Sequence, residues 1–156
     1  GGIRKDTSYN ISRHPEFVVH IVDEQNVGMA TEAAVEFPPD RSEVEEIGFT
    51  LIESSVVSVP RIKESKIQME CKVHQILEMK NKAGEPSSDF IIGEVVRFHI
   101  EESLYHEGRI DLEKLAPVGR LAGFNYTKVA NDLTIPRLTL AEFMEKKGQQ
   151  RETGEG

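Results

Sequence analysis

Lys5, Asp6, Thr7 and Asn10 stand close together near the start of a 156-residue chain, in the run Lys5-Asp6-Thr7-Ser8-Tyr9-Asn10-Ile11. A cation, a capping hydroxyl and an amide at the first turn of a helix can converge on one phosphate, together with the free N–H groups of that turn. The same residues also describe an ordinary capped helix with a solvated lysine, because Ser, Thr and Asp cap helices generally. On spacing alone the plainer reading is favoured.

A second set lies in Pro117-Val118-Gly119-Arg120-Leu121-Ala122-Gly123-Phe124-Asn125-Tyr126. Arg120 and Tyr126 in a glycine-bearing loop can set a guanidinium and an aromatic ring against a planar ligand. A connecting loop whose arginine meets a carboxylate explains them equally well. The histidines His14, His20, His74, His99 and His106 show no HxH or HExxH spacing, so a zinc site is not indicated. His99 is the most interesting of them, since it follows Gly93 on a strand that a ligand can approach. Cys71 shares a strand face with Ile67, Met69 and Val73 and reads as a core thiol. The runs Glu43–Glu46 and Glu101-Glu102 read as solvated faces.

The elements that must position these groups follow from periodicity. A short helix is expected from Asp6 or Thr7 to about Arg13, with Pro15 preventing its continuation. Phe17–Val22 is apolar and β-branched throughout and predicts a strand buried on both faces. Glu24 to about Val35 reads as a helix, broken by Phe37-Pro38-Pro39-Asp40. A third helix starts at Ser42, with a Ser-x-x-Glu capping box and Gly48 as its stop. Beyond Gly48 the period becomes two. Thr50–Val57 is one expected strand, interrupted after it by Pro60-Arg61-Ile62. Ile67–Met79 is another, with Gln68, Glu70, Lys72 and His74 on its polar side. Phe90–Ile100 returns after the polar connection Asn81–Asp89, with Gly93 as a bulge or close-approach point. A last helix over Leu138–Lys147 is capped by Thr139. The segmentation is one domain over residues 1–147 and a disordered tail over 148–156.

Composition bounds the partners. The chain carries 19 Lys plus Arg against 27 Asp plus Glu, a net charge of −8, which argues against nucleic acid. A length of 156 residues suits one domain with a sizeable core. One cysteine excludes an internal disulfide framework, and no apolar run is long enough to cross a membrane, so the cytoplasm is the expected compartment.

Several short motifs occur in register along the chain. They are Lys5-Asp6-Thr7-x-x-Asn10-Ile11, Phe17-Val18-Val19-x-Ile21-Val22, Glu45-x-x-Gly48-Phe49-Thr50, Pro60-Arg61-Ile62-x-Glu64-Ser65, Glu70-Cys71-Lys72-Val73, Ile92-Gly93-Glu94-Val95-Val96 and Arg120-Leu121-x-Gly123-x-x-Tyr126. In that order they resemble the flavin reductase-like family over roughly Ile3–Pro136. The resemblance implies a mainly β fold, the FMN-binding split β-barrel, antiparallel and of Greek-key type with short surface helices. It also implies a homodimer with FMN near the subunit interface, and NADH or NADPH as hydride donor. Reduced FMN is often passed to a separate monooxygenase. Lys5, Asp6 and Thr7 would then hold the FMN phosphate and ribityl end, with Asn10 supporting the turn. Arg120 and Tyr126 would approach the flavin or the dimer seam.

His99 lies near where a strand histidine binds nicotinamide in relatives with a Gly-Asp-His motif. Here Gly93-Glu94-Val95 replaces that triplet, which weakens the assignment. In the family the Lys-Asp-Thr motif also follows several dozen residues that supply early strands and face the isoalloxazine ring. Only Gly1-Gly2-Ile3-Arg4 precede it here, so the phosphate end of the site is expected and the ring end is expected to be incomplete. Strand exchange within a dimer is one way to cover the strand edges thereby left open. Three functions remain: an NAD(P)H-dependent FMN reductase, a non-enzymatic FMN electron carrier, and a truncated relative that binds no flavin.

Overall fold

The computed structural model describes residues 6–35, 37–38, 41–129 and 135–152. α1 (Asp6–Arg13) opens them and ends as Pro15 requires, His14 N–H closing on Asn10 O at 2.8 Å. The chain then enters β1 (Glu16–His20), which pairs antiparallel with β4 (Ile67–Lys80), and β4 pairs with β5 (Pro86–Ile100). The sheet order is β1-β4-β5, with the β4–β5 hairpin as its backbone. Its tip is closed by Asn81, whose Oδ1 accepts from Ala83 N–H and Glu85 N–H at 2.9 and 3.0 Å.

Around this sheet lie α2 (Val27–Glu32), α3 (Glu43–Ile47), and the pair β2 (Leu51–Ile52) and β3 (Arg61–Ile62). After β5 come a 3₁₀ turn (Glu102–Leu104), the pair β6 (Tyr105–His106) and β7 (Arg109–Ile110), and α4 (Leu112–Leu115). The hairpin of β8 (Val118–Arg120) and β9 (Tyr126–Lys128) follows, then α5 (Leu140–Glu152). The protein is mainly β with a few short helices.

All strand pairs are antiparallel, as expected; among the described residues they form four separate sheets that do not trace a closed barrel, and β1 and β5 are the edges of the largest. Several other expectations are corrected. β1 is not buried on both faces. Among the described residues it pairs only with β4, and Val19 keeps 37% of its surface exposed. The strand expected over Thr50–Val57 stops at Ile52, because the next backbone N–H groups turn toward a buried carboxylate instead of a neighbouring strand. The segment Pro117–Tyr126 is a β-hairpin rather than an irregular loop, with Arg120 opposite Tyr126. Ser42 precedes α3 with extended backbone but makes no side-chain cap, while Gly48 ends the helix at φ 83° as expected.

The last helix does carry its cap. Thr139 Oγ1 accepts from Glu142 N–H at 3.3 Å, and a Glu142 carboxylate oxygen accepts from Thr139 N–H at 2.7 Å, a reciprocal box. The helix runs through Gly148 to Glu152, past its expected end, since Lys, Gln and Arg around that glycine favour helix.

The core is smaller than the length suggests. Ile67, Leu104 and Leu115 form its centre, with Ile21, Ile100 and Ile110 packed against them. Large apolar side chains remain exposed, among them Phe90 at 59%, Phe98 at 58% and Met144 at 61%.

Candidate functional site

Alternation along β4 places Glu70 on its polar side, yet the residue is fully buried. The chain after β2 supplies the reason. Glu70 Oε1 accepts from Ser55 N–H at 2.7 Å, and Oε2 accepts from Val56 N–H and Val57 N–H at 2.7 and 3.0 Å. His99, on the neighbouring strand β5, brings Nε2 to 2.5 Å from Oε1, and Arg61 Nε lies 4.0 Å from the same oxygen. Burial pushes the Glu70 carboxyl up, but the bonds from Ser55, His99, Val57 and Val56 outweigh it and hold the pKa at about 2. Glu70 is therefore an anion near neutral pH, satisfied on both oxygens.

The loop it holds is tied down from the neighbouring strand β1 as well. Glu16 Oε2 on β1 accepts from Ser58 N–H and Ser58 Oγ, each at 2.7 Å, and the backbone bond lowers the Glu16 pKa most. Ser54 Oγ donates to Val59 O at 2.5 Å. Carboxylates from two strands thus shape one short loop.

Beside Glu70 opens a cleft of about 480 Å³ lined by Arg61, Lys63, Lys66, Gln68, Phe98 and His99, with Ser65, Ile100 and Glu101 completing it. Two of its three cations are held rather than loose. Arg61 donates through Nε and Nη2 to Glu53 O at 3.1 and 2.8 Å, and through Nη1 to Gln68 Oε1 at 2.6 Å. Lys66 Nζ donates to Lys114 O at 3.1 Å and lies 3.2 Å from Asp23 Oδ2. That oxygen is buried and takes no aligned hydrogen bond among the described residues, where the lysine charge compensates it. A histidine edge, an exposed phenyl ring and fixed cations make this cleft suited to a planar, anionic ligand.

The expected site residues fall in separate places. Lys5 and the Asp6 side chain lie outside the described residues. Thr7 and Asn10 are exposed on α1, and neither side chain has a hydrogen-bond partner among the described residues. Arg120 is likewise exposed on β8. Tyr126 shares a 3.2 Å hydrogen bond with Thr31 of α2, and Lys128 on the same strand meets Glu24 at 2.6 Å. The hairpin thus brings Arg120 and Tyr126 together, while α1 makes no hydrogen bond or ion pair to it or to His99 among the described residues.

His20 is a satisfied interior group, its Nε2 accepting from Ile62 N–H at 2.9 Å, and burial more than the Arg61 charge lowers its pKa. Cys71 is buried at 3% exposure, and burial raises its pKa. Sequence reasoning missed Glu70, Arg61 and Gln68 as site residues. The available signals were the places of Arg61 and Glu70 in two of the family motifs and the Ser54-Ser55 pair, which interrupts an apolar run where the loop turns.

Comparison with known proteins adds an independent line. The model of the flavin reductase like domain matches residues 2–113. A protein of Halalkalibacterium halodurans is 45% identical over 90% of this chain and 68% of its own length. Nitrilotriacetate monooxygenase component B from Bacillus cereus is 46% identical, with a TM-score of 0.82 over 86% of this chain and 66% of that one. The 2-nitrobenzoate 2-nitroreductase of Pseudomonas fluorescens is 31% identical, with a TM-score of 0.74 over 86% of this chain and 66% of that one. A Shewanella frigidimarina protein with a split-barrel domain shares the fold at 22% identity, with a TM-score of 0.71 over 85% of this chain and 65% of that one. The chain spans about two thirds of the length of these relatives.

Proposed function

Because this chain belongs to the flavin reductase like domain family, we propose that it contributes an FMN site at which hydride passes from NADH or NADPH to flavin. The observation that carries this reading is the match over residues 2–113, which spans both α1 and the His99 cleft.

The donors on α1 fit an anion. Thr7 and Asn10 face solvent with their side-chain donors free among the described residues, and the first-turn N–H groups of any helix lack intrahelical acceptors. Lys5, Asp6 and Thr7 hold the phosphate and ribityl end of FMN in this reading, with Asn10 bracing the turn. Bound FMN supplies the hydride acceptor and the electron store, so no acid or base on the protein is required. Arg120 and Tyr126, opposite each other on β8 and β9, approach the flavin or the dimer seam. His99 and the cations of its cleft receive the nicotinamide nucleotide.

Exposed Phe90 and Phe98 on β5 support a homodimer, since apolar groups of that size are commonly covered by a partner. The Bacillus cereus relative is a monooxygenase component, and by that likeness this protein supplies reduced flavin to a separate monooxygenase. A cytoplasmic setting goes with this role and with the free thiol of Cys71. No helix among the described residues is long and apolar enough to cross a membrane.

The test is spectroscopic. The purified protein mixed with FMN and freed of excess ligand should be yellow, and anaerobic NADH or NADPH should bleach it. A colourless protein that FMN cannot load would end the flavin reading. A yellow protein that neither nucleotide bleaches would be an electron carrier instead. Lys5→Ala combined with Thr7→Ala should weaken FMN binding about tenfold, the loss expected for charge-assisted phosphate contacts. Unchanged affinity in a fluorescence titration would place the phosphate elsewhere.

A further inference from the structure

We propose that Glu70 is a positioning residue, which locks His99 in one tautomer and leaves its Nδ1 as a hydrogen-bond acceptor for an amide or imide N–H of a ligand in the cleft. The argument begins with donors that cannot change role. Ser55, Val56 and Val57 present backbone N–H groups to the Glu70 carboxylate, two on Oε2 and one on Oε1. The fourth partner, His99 Nε2, shares Oε1 at 2.5 Å. An ionised carboxylate only accepts, so Nε2 carries the hydrogen. In neutral imidazole the other nitrogen is then a bare acceptor.

That nitrogen, Nδ1, has no partner among the described residues, and the ring lines the cleft with 21% of its side chain exposed. Phe98 and Gln68 flank the same opening. Flavin and nicotinamide both carry an N–H that such an acceptor recognises. The flavin reading above gives this cleft to nicotinamide, and the constants below test that assignment against flavin, whereas the tautomer does not rest on that reading.

Two measurements decide it. Long-range ¹H–¹⁵N correlation on the labelled wild-type chain, at mildly alkaline pH and without ligand, should show His99 protonated at Nε2, its signals assigned by their loss in His99→Gln. Protonation at Nδ1 would overturn the proposal whether or not the chain binds flavin. The second is a double-mutant cycle on the FMN dissociation constant and on KM for NADH. His99→Gln keeps an N–H for Glu70 and loses Nδ1, and Glu70→Gln frees the ring to switch tautomer.

Each single variant should weaken one of the two constants about tenfold, and the double variant should be no weaker than His99→Gln alone. The affected constant identifies the occupant. Effects that multiply to about a hundredfold would make Glu70 a structural residue independent of His99, and unchanged constants in both single variants would remove the ligand role. Should Glu70→Gln fail to fold, the wild-type tautomer still decides the positioning role. If the chain takes up no FMN, the flavin reading fails while the tautomer result stands.

Discussion

Glu70→Ala is expected to lower the stability of this protein by about 4 kcal/mol, the range for removing one partner of a buried charged cluster. The substitution leaves three backbone N–H donors and the His99 ring without their shared acceptor, and removes the negative charge nearest the Arg61 guanidinium. For a chain of this size that corresponds to a fall in Tm of about 10 °C by circular dichroism. The loop from Glu53 to Pro60 should loosen first, and hydrogen exchange at Ser55, Val56 and Val57 should report it. A Tm within about 2 °C of wild type would mean the cluster contributes no net stability.

The same residue predicts an acid response with a definite sign. Its folded pKa of about 2 lies below the ordinary 4.5, so the unfolded chain binds the proton more readily. The stabilisation is therefore complete above the ordinary value and is lost as pH falls from 4.5 toward 2. The gap in Tm between wild type and Glu70→Ala should narrow over that interval. A gap that stays constant down to the lower limit would show that the carboxylate is not the titrating group.

Gly93→Val is the second large effect, and two rules oppose each other there. Valine favours strands, and replacing a glycine within β5 should help by up to about 1 kcal/mol on propensity alone. Sterics oppose it. A Cβ at this position would overlap the Phe17 ring, with Cε1 only 2.8 Å away, where the β4–β5 register also slips between Val73 and Gln75. The ring must move or β1 must lift from the sheet, and overpacking of this kind costs about 1–3 kcal/mol. Net destabilisation of about 2 kcal/mol is expected. Adding Phe17→Ala should make the pair less harmful than the sum of the single changes. A Gly93→Val variant as stable as wild type would contradict the close approach.

Local physics made a good part of the fold legible. Pro15 ends α1 because it has no N–H to continue the ladder. Thr139 caps α5, and the alternation of β4 and β5 around a polar connection predicts their hairpin. Gly93 was identifiable as a contact point because a glycine inside a strand needs a reason. Arg120 and Tyr126 were identifiable as a pair, although their hairpin was not, because two short strands flanked by glycines look like any irregular loop. Lys5 and Thr7 became candidates only through the order of motifs along the chain, since a capped helix by itself says nothing about a ligand.

Glu70 marks the boundary between the two kinds of knowledge. Its family motif, its place on β4 and the partner strand of that hairpin are all present in the residues themselves, because strand periodicity and turn chemistry act over a few positions. Its burial, its four hydrogen bonds and its pairing with His99 are not. They depend on Ser55, a loop residue fifteen positions earlier, and on His99, a strand residue twenty-nine positions later. Only tertiary structure brings such segments together, and a charged side chain in a half-polar strand faces solvent unless donors from elsewhere in the chain replace the water it loses.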